Sequence, residues 1–164
     1  MNGRVNEINK SNLFYGYLSS PVGNIEICAC DDSIISVSFV EALTNEESNA
    51  SIIQQAKVEL TEYFLGKRNT FDVKYTFSGT EFQKSVWKAL TEIPYGQTVS
   101  YGFIANKIGN KKASRAVGGA NNKNKLAIIV PCHRVIGANN KLVGYAGGLW
   151  RKEGLLKIEA DRKF

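Results

Sequence analysis

Hydrophobic and polar residues alternate along residues 12–40, which is the pattern of β-strands with one buried face. Turn-forming residues interrupt the alternation at Pro21–Asn24 and again at Asp31–Ser33. The segment therefore predicts a three-stranded β-meander. The apolar positions predicted to face the core of the second and third strands are Ile25, Ile27, Ala29, Ile35, Val37 and Phe39.

From about Asn49 the apolar residues recur every three or four positions, which is the spacing of a helix. Ile53, Ala56, Leu60 and Phe64 share this spacing, and Gly66 is a typical residue just past a helix end. We therefore predict a helix over residues 49–65. Residues 69–77 have an extended pattern and predict a linking strand.

The second half of the chain carries start signals for further helices. Thr80 followed by Gln83 is a capping-box pattern, and Ser100 can cap the next helix. That helix ends near Gly109, and residues 111–122 predict another helix directly after it. Two short helices joined by a tight turn indicate a helix-turn-helix, although any helical hairpin has this pattern.

Composition indicates a folded chain, because 43% of the 164 residues are hydrophobic and only three are proline. No apolar run approaches the roughly 20 residues that span a bilayer. Residues 1–12 are polar, lack the apolar segment of a secretory signal, and predict a loose tail. Three cysteines do not form a disulfide framework, which favours a reducing, cytoplasmic compartment.

The charge is unevenly distributed along the chain. Residues 1–79 hold six Lys/Arg against ten Asp/Glu, a net charge of −4. Residues 80–164 hold fifteen Lys/Arg against five Asp/Glu, a net charge of +10. The basic half is typical of a surface that meets a polyanion, and a solubilising surface is the alternative.

The glycine pair Gly118–Gly119 lies inside the last of these predicted helices, where each glycine costs about 1 kcal/mol relative to alanine. Glycine lets another backbone come close, and tight packing between helices is one explanation. Basic residues around the pair favour a nucleic-acid backbone instead. They are Lys111, Lys112, Arg115, Lys123 and Lys125.

The segment "VPCHRVIG" places Cys132 beside His133, the only histidine of the chain. Cys132 could be a buried structural thiol, a metal ligand or a nucleophile. No zinc site is predicted, because Cys28 and Cys30 lack zinc-finger spacing relative to this pair.

A nucleophilic Cys132 would need a base. Adjacent side chains of an extended backbone point to opposite sides, so a water would have to bridge Cys132 and His133. Glu159, in the helical pattern that starts near Leu149, could orient the imidazole or could be an ordinary surface glutamate. The spacing leaves these alternatives open, a cysteine hydrolase included.

From about Phe14 onward the chain resembles the O6-alkylguanine-DNA alkyltransferases, also called methylated-DNA–protein-cysteine methyltransferases. The blocks "SPVGNIEICACDDSIISVSF", "GTEFQKSVWKALTEIPYGQTVSYGFIANKIGN", "SRAVGGANNKNKLAIIVPCHRVIG" and "GYAGGLWRKEGLLKIE" carry the resemblance in this order. The resemblance implies an α+β fold in two domains. A small ribonuclease-H-like α/β domain is expected at residues 13–78, and a mainly helical, winged helix-turn-helix-type DNA-binding domain at residues 79–164.

The resemblance also implies a reaction that needs no cofactor or metal. Cys132 would take a methyl or larger alkyl group from O6-alkylguanine, and from O4-alkylthymine, in a base flipped out of DNA. His133 would act as the base through a water, and Glu159 would hold His133. The transfer is irreversible, so each molecule would act once. An attacking sulfur must be a thiolate, which predicts a lowered pKa for Cys132.

Further roles are implied for residues that bind the substrate base. Tyr101 would donate to the guanine ring and crowd the target phosphate, while Asn124 would brace the turn before Cys132. The main-chain carbonyls of Cys132 and Val135 would read the exocyclic amine. Tyr145 and Ala146 would line the pocket, and Ala146 replaces a serine of some relatives, which could change the tolerance for bulkier alkyl groups.

The resemblance implies that Arg115 enters the duplex in place of the flipped nucleotide, with Gly118 and Gly119 close to the DNA. The expected partner is double-stranded DNA carrying O6-alkylguanine, bound largely independently of sequence by a monomer. No membrane partner is expected, and the location would be cytoplasmic, at the nucleoid when DNA is bound. A non-catalytic lesion-binding protein on the same scaffold is the alternative, and such proteins lack the acceptor cysteine.

Two tryptophans and two cysteines are assigned structural positions. Trp87 and Trp150 lie in helical patterns and are predicted to be core residues rather than DNA contacts. Cys28 and Cys30 are predicted to be structural.

Overall fold

The computed structural model describes residues 12–162, so the predicted tail lies outside the described residues except for Asn12. An antiparallel sheet opens the fold, with β1 at Leu13–Ser20, β2 at Gly23–Cys30 and β3 at Ser33–Phe39 in the order β1-β2-β3. The predicted meander is therefore confirmed. Its turns need unusual backbone angles at Gly23 (φ 107°) and Asp31 (φ 54°), and glycine and aspartate tolerate these well.

One strand differs from the predicted alternation because of a β-bulge. Cys28 pairs with Ser36, but Ala29 pairs with Ile34, so Ile35 is an extra residue on β3. Ile34 is fully buried as a result, while Ile35 is only half-buried. The prediction that Ile35 shares the core face with Val37 is wrong for this reason.

Helix α1, Ser51–Phe64, covers one face of the sheet. Its predicted apolar stripe is buried, with Ile53, Ala56 and Leu60 fully enclosed. A side chain at Gly16 of β1 would collide with Ile53, so this glycine allows the close approach of helix and sheet. The helix ends at Phe64, one residue before the predicted end, and Gly66 follows with φ 71° as the predicted terminating glycine.

Residues 69–77 do not form the predicted strand. They run extended, but only Tyr75 bridges β3, opposite Ile34. The Ile34 amide donates to the carbonyl of Lys74 (2.9 Å) and the Thr76 amide donates to the carbonyl of Ile34 (3.0 Å).

The second half is mainly helical. Thr80 and Gln83 make both bonds of the predicted capping box, and the Ser100 hydroxyl accepts from the Phe103 amide (3.0 Å). The elements are α2 Glu81–Leu90, β4 Val99–Ser100, α3 Tyr101–Lys107, α4 Ser114–Asn122, β5 Val135–Ile136 and α5 Leu149–Asp161. None of the helices in residues 12–162 has the length and apolar character needed to cross a bilayer.

Helices α3 and α4 form the predicted helix-turn-helix, with Gly109 (φ 80°) in the turn between them. Helix α4 begins at Ser114, three residues later than predicted, because Lys111 and Lys112 belong to the turn. Both α3 and α4 pack against α2. Trp87 of α2 is buried and donates through Nε1 to the carbonyl of Ala120 (2.8 Å).

The two halves share one hydrophobic core and are joined through the edge of β3. The Val37 amide donates to the carbonyl of Lys125 (2.8 Å), and the Ala127 amide donates to the carbonyl of Val37 (3.1 Å). The segment that leads from α4 to Cys132 is thus fixed to the amino-terminal sheet.

Candidate active site

Cys132 is held at the end of a braced turn. The Asn124 side chain donates to the carbonyl of Val130 (2.9 Å) and accepts from the amide of Leu126 (3.0 Å). Between these bonds Ile128 has φ 72°, a left-handed conformation that is strained for a β-branched residue. Asn124 therefore lies where the sequence predicts a brace, and its bonds offset the strain.

His133 and Glu159 form a buried pair. Cys132, His133 and Arg134 form one turn of 3-10 helix, so the backbone is not extended here. The His133 Nε2 atom lies 2.7 Å from Oε1 of Glu159, and the two residues are 0% and 2% exposed. The structure thus brings together Glu159 of α5 and His133, as predicted, and excludes a surface position for Glu159.

Glu159 has further donors that sequence reasoning missed. Arg134 donates to it through Nε and Nη2, both at 2.9 Å, and Tyr63 of α1 donates through its hydroxyl at 2.8 Å. The amide of Gly96 donates at 3.3 Å. The Arg134 guanidinium was adjacent to the Cys-His pair in the sequence and could have been found there. Tyr63, 96 residues away, could not.

These contacts determine which nitrogen of the His133 ring carries the hydrogen. Burial alone would raise the pKa of Glu159, but its bonds to His133 and the charge of Arg134 hold that pKa far below its usual range. Burial lowers the pKa of His133 despite the attraction of Glu159. The ionised carboxylate can only accept, so Nε2 carries the hydrogen and Nδ1 keeps its lone pair. Nδ1 is buried and has no hydrogen-bond partner among residues 12–162.

The Cys132 thiol does not have the predicted lowered pKa. Burial raises the pKa of Cys132, and a hydrogen bond with Asn124 and the charge of Lys152 oppose this only in part. The cysteine is 4% exposed, so its sulfur has lost the water that would stabilise a thiolate. The resting form at neutral pH is therefore the thiol, and attack by sulfur needs a base.

Lys152 of α5 is a further residue that the sequence did not reveal. Its side chain is fully buried, and its ammonium donates to the carbonyls of Val135 (2.5 Å), Val143 (2.9 Å) and Gly144 (3.5 Å). It therefore ties the loop before Tyr145 to the strand that follows the Cys-His pair. Burial lowers the pKa of Lys152, and its attraction to Cys132 counters this.

A cavity of about 190 Å³ opens beside Cys132. Tyr145 and Ala146 line it, in agreement with their predicted place, and three residues of β3 line it from the amino-terminal half. Its lining residues are Val37, Ser38, Phe39, Asn121, Asn124, Ala127, Cys132, Tyr145, Ala146, Gly147 and Arg151.

Tyr101 and Val135 lie close by rather than in this lining. The Tyr101 hydroxyl donates to the carbonyl of Val143 (3.1 Å), so it contacts the loop of residues 137–148, called the substrate loop below because Tyr145 and Ala146 line the cavity. The Val135 carbonyl accepts from Lys152 and the Cys132 carbonyl accepts from Asn121 (3.3 Å). The Cys132 carbonyl also accepts from the amide of Val135, so of these two carbonyls only that of Val135 keeps a lone pair for another donor among the described residues.

Helix α4 presents a bare, basic face. Arg115 and Gly119 are exposed and Gly118 is half-buried. Among residues 12–162, a Cβ on Gly119 would have no neighbouring atom within 4 Å, and one on Gly118 would meet only the Tyr101 ring, at an ordinary 3.8 Å. Packing inside the protein therefore does not require either glycine, which argues against the helix-packing explanation. The flanking exposed cations are Lys111, Lys112, Lys123 and Lys125.

The remaining predicted positions are mixed. Trp150 is 58% exposed, so its predicted core position is wrong, and its ring stacks on the Arg151 guanidinium at 4.5 Å. Cys28 is buried in β2, and Cys30 at its end is half-buried. Within residues 12–162 no group of three or more His, Cys, Asp or Glu side chains converges as metal ligands would.

The fold combines an α/β sheet module with a helix-turn-helix that has a basic face, and a cysteine lies beside a buried His-Glu pair. These features are those of a DNA-binding protein with a nucleophilic thiol. Family models match both halves. The 6-O-methylguanine DNA methyltransferase ribonuclease-like domain matches residues 13–77, and the DNA-binding domain of the same family matches residues 81–161. The chain belongs to the methylated-DNA–protein-cysteine methyltransferase family.

Relatives and solved structures agree with this assignment. The methylated-DNA–protein-cysteine methyltransferase of Methanosarcina acetivorans is 52% identical over 91% of this chain and 99% of its own length. The enzyme of that name from Mycobacterium bovis is 43% identical over 92% and 94%. The crystal structure of Mycobacterium tuberculosis O6-methylguanine methyltransferase has a TM-score of 0.84 at 42% identity, covering 93% of this chain and 95% of that one. The structure of Mycobacterium tuberculosis OGT in complex with DNA has a TM-score of 0.84 at 44% identity, covering 91% and 94%.

Proposed function

We propose that this protein reverses alkylation damage in DNA by moving the alkyl group from O6 of guanine, and from O4 of thymine, to Cys132. Each molecule acts once, because the thioether that forms is not removed. The observation that carries the proposal is the position of Cys132 at a cavity, beside a buried histidine whose free nitrogen can take a proton.

The chain supplies a proton path for the transfer. His133 Nδ1 takes the thiol proton through a bridging water. The Nε2 hydrogen stays on the ring and is donated to the Glu159 carboxylate, whose charge stabilises the imidazolium that forms. The sulfur attacks the alkyl carbon, the carbon–O6 bond breaks, and its electron pair stays with the purine. The purine then takes up the proton, so the products are a thioether on Cys132 and an unmodified guanine.

Binding to duplex DNA is assigned to α4. Arg115 fills the stack when the target nucleotide turns out, a step that costs a few kcal/mol in unstacking. Gly118 and Gly119 let the helix lie close to the DNA backbone. The basic half supplies affinity that does not depend on sequence. Tyr101, on the same face, crowds the target phosphate and donates to the ring.

The substrate base is held by groups from several elements. The carbonyls of Cys132 and Val135 read the exocyclic amine, and Asn121 and Lys152 hold these two carbonyls in place. Tyr145 and Ala146 form the pocket wall. The protein acts as a monomer in the cytoplasm, on double-stranded DNA that carries the lesion, and the free thiols suit this reducing compartment.

Intact-protein mass spectrometry after incubation with a duplex that contains one O6-methylguanine tests the proposal. We expect a gain of one methyl group that maps to Cys132 and stops at one per protein. Cys132→Ser should abolish the gain and keep duplex binding, because the DNA contacts come from other residues. A Cys132→Ser protein that still repairs would remove Cys132 from the mechanism.

Two other results of the same experiment would indicate a different activity. A lesion that is bound while the wild-type mass stays unchanged would indicate a non-catalytic lesion-binding protein. A repaired duplex with unmodified protein would indicate a hydrolase that turns over.

A further inference from the structure

Two buried polar atoms of cavity-lining residues have no hydrogen-bond partner among residues 12–162. They are Oδ1 of Asn121 and the hydroxyl of Tyr145. Unpaired buried polar groups are rare in folded proteins, so each of these two atoms calls for a specific explanation. The other unpaired atom beside this site, Nδ1 of His133, already has a role in the proton path.

The amide orientation of Asn121 follows from its one protein contact. Its Nδ2 atom lies 3.3 Å from the carbonyl oxygen of Cys132, and a carbonyl can only accept. The amide nitrogen therefore faces Cys132, and Oδ1 is left as an acceptor. Asn121 is 2% exposed, so bulk water does not satisfy this oxygen.

The guanine itself does not provide a donor for Asn121. Alkylation at O6 leaves N1 without a hydrogen, so the exocyclic amine is the only N–H group of the damaged base. The proposed function, on which this inference rests, assigns that amine to the carbonyls of Cys132 and Val135. The remaining part of the substrate within reach of the cavity beside Sγ is the alkyl group.

We propose that Asn121 Oδ1 accepts the hydroxyl hydrogen of alkyl groups that carry a hydroxyl, with the 2-hydroxyethyl group as the simplest member, and that Asn121 thereby makes the site prefer them over alkyl groups of the same size. The cavity of about 190 Å³ extends past Cys132 to Val37 and Phe39 of β3, so a chain longer than methyl has room there. The reaction stays balanced. A bond forms between Sγ and the first carbon, the bond to O6 breaks, the thiol proton ends on the guanine, and the hydroxyl keeps its own.

The test compares two lesions of the same size. Duplexes with O6-(2-hydroxyethyl)guanine or O6-propylguanine differ only in a terminal hydroxyl or methyl. Single-turnover rates on both are measured for the wild type and for Asn121→Leu, which keeps the side-chain volume and loses the acceptor. We expect the hydroxyethyl-to-propyl rate ratio to fall about fivefold in the variant, as for the loss of one hydrogen bond. Intrinsic reactivity cancels in this comparison.

Asn69→Leu is the matched control, because Asn69 is exposed and lies outside the lining of this cavity. Its rate ratio should equal that of the wild type. The final extent of methyl transfer from the O6-methylguanine duplex gives the number of active molecules in each sample. Partial misfolding therefore does not affect the rate ratios. If Asn121→Leu transfers no methyl, the affinities of the two duplexes are compared in the Cys132→Ser background, with and without Asn121→Leu.

The proposal is overturned if Asn121→Leu leaves the hydroxyethyl-to-propyl rate ratio unchanged, or leaves the corresponding affinity ratio unchanged in the Cys132→Ser background. A water would then be the partner of Asn121 Oδ1. Failure of the proposed function is a separate result, because it appears as wild-type protein that does not react with the methyl lesion.

Discussion

Glu159 is the residue on which both halves of the molecule converge. His133, Arg134 and the Tyr63 hydroxyl all donate to its Oε1 atom, and Arg134 and the Gly96 amide donate to Oε2. Three donors thus share one oxygen, so each of these hydrogen bonds weakens the other two. Tyr63 comes from α1, so the amino-terminal domain acts through Glu159 on His133, the base of the proposed reaction.

Tyr63→Phe should change how the transfer rate depends on pH. Without the Tyr63 hydroxyl, Oε1 of Glu159 accepts more strongly from His133, which raises the pKa of the imidazole. The acid limb of the rate profile should move to higher pH by up to about one unit, the equivalent of one hydrogen bond. Single-turnover transfer from O6-methylguanine duplex between pH 5 and pH 9 measures this.

Tyr17→Phe is the matched control for this substitution. The Tyr17 hydroxyl also donates to a carboxylate, Oε2 of Glu26, at 2.7 Å, but within the amino-terminal sheet. Both variants should lose about 1 kcal/mol of unfolding free energy. Only Tyr63→Phe should move the profile, and equal profiles would reduce Tyr63 to a structural residue.

The sequence allowed Cys132, His133 and Glu159 to be chosen because one motif and one helical pattern contain them. It did not allow Tyr63, Asn121 or Lys152 to be chosen. Each of these acts through a contact with a main-chain carbonyl or a distant carboxylate, and such contacts leave no local pattern. The raised pKa of Cys132 was also missed, because burial of a thiol depends on the whole fold.

Among the elements, α4 has an amino-acid sequence that the stability of the protein alone does not explain. Its two central glycines weaken the helix, and neither is needed for packing against α2 or α3. The face that they leave bare carries Arg115. A helix with this composition is best explained by a close partner on that side.

Gly119→Ala should therefore affect stability and DNA binding in opposite directions. The added methyl meets no atom of the described part of the chain within 4 Å, and alanine favours the helix by about 1 kcal/mol, so the unfolding free energy should rise. The same methyl would hold the helix away from DNA and weaken duplex binding. Urea unfolding and duplex titration on one sample measure both. A more stable protein with undiminished affinity would show that Gly119 does not contact DNA.

The elements with local signals were predicted well. The capping box of α2, the Ser100 cap of α3 and the glycine after α1 each depend on a few neighbouring residues. The bulge at Ile35 and the weak pairing of residues 69–77 depend on partners elsewhere in the chain. Alternation along one strand cannot reveal an extra residue in its pairing, so Ile35 was wrongly predicted to face the core, whereas Val37 beyond the bulge was predicted correctly.

At the scale of the molecule, the amino-terminal domain is part of the site as well as a support for it. β3 bonds to residues 125–127 and lines the cavity through Phe39, whose ring meets Tyr145 edge-on at 6.4 Å. Arg151 donates to the Val22 and Gly147 carbonyls and so joins the first turn of the sheet to the substrate loop. These pairings between distant segments could not be read from one sequence.

The buried site also makes the whole fold sensitive to acid. His133 is the only histidine, and burial together with the charges of Arg134 and Lys152 lowers its pKa in spite of Glu159. The unfolded chain therefore binds a proton below about pH 6.5 while the folded protein does not, so stability falls as pH falls through this range. Glu159, whose pKa is also depressed, adds a second loss below the usual glutamate range.

Between pH 7 and pH 5 the loss of unfolding free energy should come mainly from His133, with a slope of up to about 1.4 kcal/mol per pH unit. Urea unfolding at pH 7, 6 and 5 measures it. In His133→Gln the residue cannot titrate while its amide can still donate to Glu159, so the slope should flatten. The same slope in that variant would place the titrating group elsewhere. A flat wild-type curve would mean that the folded protein accepts the proton on His133, and the proposed base would then be charged at mildly acidic pH and unable to take the thiol proton.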